Sequence, residues 1–99
     1  ESPGYSAVGW VLKDSRNNEV VVKGSFVNEN YSATQAFYVG LIRGLQEAFE
    51  RKIAHILVYG DSGVVCNQIN QHWCVRNKRL LKFYDKAMDL VRCFESFEI

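Results

Sequence analysis

The residue best placed to do chemistry in this 99-residue chain is Asp61. It follows the apolar run Ile56-Leu57-Val58-Tyr59, with Gly60 before it and Ser62 after it. An acid just past a strand lies at the carboxyl end of a sheet, where open α/β sheets bind ligands and metals. A capping Asp at a strand–helix junction has the same surroundings, so local spacing leaves both readings open. A second group is basic. Arg76, Lys78, Arg79, Lys82 and Lys86 place five of the twelve Lys and Arg residues in one short window, opposed there only by Asp85. His72 and Trp73 lie just upstream. Cations beside an aromatic suit phosphate contacts and stacking on a base or sugar. The same pattern describes a solvated helix face with ordinary lysines, and Trp73 could equally anchor a core at the helix junction.

The elements that must position these residues can be read from periodicity. Ser2-Pro3-Gly4 reads as a turn leading into a strand over 5–12. Asp14-Ser15-Arg16-Asn17-Asn18 is a dense turn signal, and the strand pieces 20–22 and 26–27 after it make an antiparallel hairpin. In the polar loop over 28–34, either Ser32 or Thr34 could cap a helix. Tyr38, Leu41, Ile42, Leu45 and Phe49 then recur at helical spacing, which predicts a helix over 35–51. Gly40 and Gly44 lie on one flank of it and suit close packing. A short strand over 56–59, a helix over 63–70, and a third helix capped by Asn77 follow. Leu80, Leu81, Tyr84, Ala87, Met88, Val91 and Phe94 share one face of that third helix, opposite the lysines. A strand begins at Phe97. The order β-β-α-β-α-α-β predicts an α/β domain with a mixed sheet.

Composition narrows the classes. With 47% hydrophobic and 13% aromatic residues the chain is globular in type, and 99 residues make a single domain. A formal net charge of +1 carries no signal for nucleic acid; only the charge distribution does. No run approaches the roughly 20 apolar residues that span a bilayer, so no membrane association is expected. Cys66, Cys74 and Cys93 are odd in number and lack a C-x-x-C spacing, which suits free thiols inside a reducing cell compartment. His55 and His72 do not join them at a zinc-finger spacing, so a structural metal is not expected.

The words around Asp61 add a family likeness. Gly60-Asp61-Ser62-Gly63-Val64-Val65-Cys66-Asn67-Gln68-Ile69-Asn70, followed by Trp73-Cys74-Val75-Arg76-Asn77, resembles the ribonuclease H-like family in its single-domain bacterial and plant form. The likeness extends through the Tyr38, Leu41, Ile42, Gly44, Leu45 helix, the Leu80 and Tyr84 helix and the terminal Phe94-Glu95-Ser96-Phe97-Glu98-Ile99. It implies a ribonuclease H-like mixed sheet with packed helices, lacking the family's first strand and last helix. It also implies a site in which several carboxylates hold two Mg²⁺ ions for phosphodiester hydrolysis.

Carried over residue by residue, that site is depleted. Asp61 matches the fourth-strand acid, as a vestigial catalytic residue and at most a weak metal ligand. The first-strand Asp and the later-helix Asp would fall outside residues 1–99, and the position of the helix Glu is occupied by Phe37. On the helical wheel Phe37 falls at the edge of the apolar stripe, where it would look across the sheet end toward Asp61. Glu29 and Glu47 are too far along the chain to replace it. The resemblance also implies that Asn67, Gln68 and Asn70 reach a minor groove, with Trp73, Arg76, Lys78, Arg79, Lys82 and Lys86 gripping the backbone.

The expectation is thus a catalytically degenerate module that binds RNA or an RNA/DNA hybrid, within a ribonucleoprotein, with no cofactor. The alternatives are an active Mg²⁺-dependent nuclease whose other acids lie outside the chain, and a protein-interaction module. The missing first strand predicts two open strand edges, to be completed by a protein partner or a second copy.

Overall fold

The computed structural model describes residues 6–28, 32–60 and 62–99, and the side chains of 11–20, 32–60 and 62–99 among them. Its elements are β1 (Ser6–Asp14), β2 (Glu19–Asn28), α1 (Ala33–Glu50), β3 (His55–Gly60), α2 (Gly63–Ile69), α3 (Lys78–Val91) and β4 (Ser96–Glu98). The order matches the sequence reading. The predicted Ser2-Pro3-Gly4 turn lies outside the described residues.

One four-stranded sheet runs in the order β2-β1-β3-β4. β1 pairs antiparallel with both β2 and β3, and β3 pairs parallel with β4. The two strand edges expected to be open therefore pair with each other over residues 10–14 and 56–60. Trp10 pairs with Gly60 and Asp14 with Ile56, so over these residues β1 and β3 satisfy each other's backbone groups. The second strand also differs from expectation. Residues 20–22 and 26–27 belong to one continuous strand, because Lys23, Gly24 and Ser25 stay in register with Val11, Trp10 and Gly9. A register shift between Leu12 and Lys13 absorbs one extra residue of β2.

Alternation along the strands decides which face is buried. Leu12, Ile56 and Val58 point into the core. On the other face Tyr59 is exposed, and the Lys13 ammonium lies 5.2 Å from the centre of its ring. α1 covers the inner face of β1 and β2, and α3 packs against α1. Phe37, Tyr38, Leu41, Leu45 and Ala48 supply the buried stripe of α1. Gly40 and Gly44 are buried with it, as close packing on that flank requires.

The first turn holds a charge pair that the sequence reading had treated only as a turn signal. Asp14 is 5% exposed and accepts from the Arg16 backbone N–H at 3.0 Å and from its guanidinium at 3.2 and 2.9 Å. Asn18 follows in the left-handed region, with φ 60°, and its N–H donates to the Asp14 carbonyl at 2.8 Å. The hydrogen bonds from Arg16 hold the Asp14 carboxyl below the usual carboxylate range.

Candidate functional site

Three elements converge on the carboxyl end of β3. Ser32 caps α1 in a reciprocal arrangement: its hydroxyl accepts from the Gln35 N–H at 3.2 Å, and its own N–H donates to the Gln35 side chain at 3.0 Å. That cap fixes where α1 begins and so places Phe37 in its first turns. Phe37 is fully buried, and its ring lies so close over Gly60 that a Cβ there would collide with it. The ring thus reaches the residue that immediately precedes Asp61, which is where the helical wheel aimed it. Asp61 itself lies outside the described residues. The cap of the next helix is Ser62, whose hydroxyl accepts from the Val65 N–H at 3.2 Å. The N-cap position of α2 is thus held by Ser62.

Behind Phe37 the interior stays closed. The Tyr38 hydroxyl donates to the Gln68 side-chain oxygen at 2.7 Å, tying α1 to α2. Burial pushes the Tyr38 hydroxyl well above the usual phenol range. Gln68 is only 6% exposed, so it turns inward instead of facing a groove with its neighbours. Asn67 is half-buried and donates to the Gly63 carbonyl at 2.8 Å. Asn70 is exposed, with its side-chain nitrogen 3.5 Å from the Ile99 carbonyl.

A divalent cation needs several oxygen ligands converging at short range. Phe37 brings a phenyl ring to this place and no lone pair. Among the described residues, no three His, Cys, Asp or Glu side chains gather closely enough to hold a metal ion.

The basic group lies in a different setting. Asn77 caps α3 as the sequence predicts, accepting from the N–H groups of Arg79 at 2.8 Å and Leu80 at 3.3 Å. Arg76, Lys78, Arg79, Lys82 and Lys86 are all exposed. The loop before α3 is built on one carbonyl: the N–H groups of His72 and Trp73 both donate to the Asn67 carbonyl, at 2.8 and 3.1 Å. Gln71 makes the bend with φ 64°. Trp73 emerges 52% exposed, so it is not the core anchor that its position in the sequence also allowed.

The four-stranded mixed sheet, its three helices and the placing of α1 across its inner face make an α/β architecture that solved ribonuclease H structures share. A family model described as reverse transcriptase-like matches residues 1–99, and the chain belongs to that ribonuclease H-like family. It is 31% identical over 98 residues to a ribonuclease HI of Halobacterium salinarum, covering 99% of this chain and 49% of that protein. It is 32% identical over 91 residues to the bifunctional protein Rv2228c of Mycobacterium tuberculosis, covering 92% of this chain and 24% of that one. The chain thus spans half or less of the length of these relatives. The crystal structure of RNase H1 from Halobacterium salinarum superposes with a TM-score of 0.80 over 98% of this chain and 73% of that one. The N-terminal RNase H domain of Rv2228c gives 0.75 at 23% identity over 99% and 72% of the two chains, a likeness of fold alone. Among the described residues no helix is long and apolar enough to cross a membrane.

Proposed function

We propose that this chain is a ribonuclease H-like module that binds RNA or an RNA/DNA hybrid and does not hydrolyse it. The observation that carries this reading is Phe37, fully buried with its ring on Gly60; the family resemblance assigns a helix carboxylate to that position. Two-metal hydrolysis depends on carboxylates that hold both ions in line with the scissile phosphate. A phenyl ring removes one ligand and fills the space an ion and its water would take. Binding does not depend on that site. It falls to the exposed cations Arg76, Lys78, Arg79, Lys82 and Lys86, to Trp73, and to the amides of Asn67 and Asn70. Phosphate neutralisation gives affinity without sequence preference, and stacking on Trp73 adds to it. A place in a ribonucleoprotein assembly fits such a module.

The second reading, an active Mg²⁺-dependent nuclease, draws on the 31% identity to a ribonuclease HI. One assay separates the two. Labelled RNA/DNA hybrid is incubated with the protein and excess Mg²⁺ or Mn²⁺, beside a binding titration of the same duplex. Binding without cleavage is expected. Cleavage that disappears in Asp61→Asn would establish the second reading. Binding that is unaffected by Lys78→Glu, Arg79→Glu and Lys82→Glu together would remove nucleic acid from the first.

A further inference from the structure

Between α1 and α3 runs a groove of about 270 Å³, lined by Val39, Ile42, Arg43, Gln46, Phe83 and Lys86. Its lining differs from that of two other clefts among the described residues. Val39, Ile42 and Phe83 give it apolar walls, Arg43 and Lys86 give it two cations, and no acidic side chain lines it. A second groove, beside Phe49 and Ile53, carries both Glu50 and Glu95. A third, by Ser15 and Ser96, carries Glu98.

The cations of this groove do not stand alone. Lys86 is the third member of a row, Lys78, Lys82 and Lys86, spaced four residues apart on α3 and all exposed. Residues at that spacing share one helix face, and eight residues of helix carry the row over about 12 Å. Arg79 flanks it. A row of that length suits a repeating polyanion better than a single carboxylate. The apolar walls at its end suit a flat, unstacked ring. Single-strand binding sites elsewhere combine these two parts: a cationic track for the backbone and an aromatic or apolar platform for a base. In a duplex the bases are stacked inside and cannot enter a groove between two helices.

We infer that the α1–α3 groove accepts an unstacked base of single-stranded RNA whose phosphates follow Lys78, Lys82 and Lys86. The inference rests on the nucleic-acid-binding reading above and sharpens it, from RNA or hybrid in general to single-stranded RNA at a defined place. Gln46 is the means of testing it, because it is exposed on α1 and lines the groove without contributing charge. Gln46→Trp fills the groove and keeps a helix-compatible residue.

The experiment is a fluorescence anisotropy titration of the whole chain with a labelled single-stranded oligouridylate and with an RNA/DNA hybrid of equal length. Circular dichroism confirms that each variant is folded. Gln46→Trp should lower the ratio of single-strand to hybrid affinity by about tenfold. Lys86→Glu should weaken single-strand binding and reduce its salt dependence, whereas Lys52→Glu, on a different surface, should do neither. If Gln46→Trp leaves the ratio unchanged while the Lys78, Arg79 and Lys82 reversals weaken both ligands, the groove is wrong and the broader reading stands. If the unaltered protein binds neither ligand, both fall together. If polyglutamate displaces the oligouridylate as well as unlabelled RNA does, the groove takes an acidic peptide and the assignment to RNA is overturned.

Discussion

The carboxyl end of β3 and the exposed face of α3 began with comparable claims on function, and the fold treats them in opposite ways. At the strand end an aromatic ring is driven into the interior against a glycine, and the next layer is closed by the Tyr38–Gln68 hydrogen bond. On α3 and the loop before it, the cations and Trp73 stay exposed to water. A site that handles metal ions needs polar groups aimed at a common point, whereas a site that grips a polyanion needs only exposed charge along a line. The first kind is sensitive to a single apolar substitution. The second survives drift in any single lysine, since each phosphate contact contributes separately.

The contrast predicts large stability effects at the strand end and small ones on α3. Phe37→Glu should give the greatest loss, on the order of 3–5 kcal/mol, because it removes a buried ring and places a carboxylate in the core. Urea unfolding with and without excess Mg²⁺ measures it. Full recovery of stability by the ion would show that a metal site is still latent there, and would break the comparison. Gly60→Ala should cost about 1–3 kcal/mol through collision with the ring. In a Phe37→Ala background most of that cost should vanish, and a double-mutant cycle reads the coupling directly. Equal costs in the two backgrounds would mean that Phe37 does not sit over Gly60.

Tyr38→Phe should cost about 1–2 kcal/mol, since it leaves the Gln68 oxygen buried without its donor. Trp73→Ala should shift stability by no more than about 0.5 kcal/mol, as expected of an exposed side chain, while weakening RNA binding. A large loss of stability there would return Trp73 to the core.

Asp14 lies at the opposite end of β1 from this site and gives a check on pH. Its folded pKa is depressed by Arg16, so the folded state favours the ionised form. The resulting stability is present above the unfolded value near ~3.9 and is lost as pH falls through the folded value. Asp14→Asn should remove that acid-range slope and leave the slope near neutrality unchanged. An unaltered slope below about pH 4 would show that the Arg16 contact is not made in solution.

Much of the site could be read from local signals. The Asn77 cap, the helical stripe of α1 and the position of Phe37 on its edge all depend on residues within a turn or two of one another. The inward turn of Gln68 could not be read that way. It shares a short helix with Asn67 and Asn70, and its partner Tyr38 is thirty residues earlier in the chain. A buried amide beside a tyrosine of α1 leaves no trace in the spacing of α2. The Asp14–Arg16 pair was within local reach, as an acid two residues before a basic side chain in a turn. What concealed its importance was burial, which the turn's own residues do not reveal.

By itself the sequence determined the elements, their order and the family. Those follow from periodicity, caps and motif words, all of which are short-range. Only the tertiary structure decided that β1 pairs directly with β3, that Ser62 caps α2, and that Trp73 faces solvent. Strand partnership is a choice among distant backbone groups that all carry the same donors and acceptors, and only the assembled sheet can make it. Exposure is likewise a property of what packs nearby, and the loop folded over the Asn67 carbonyl leaves Trp73 about half exposed.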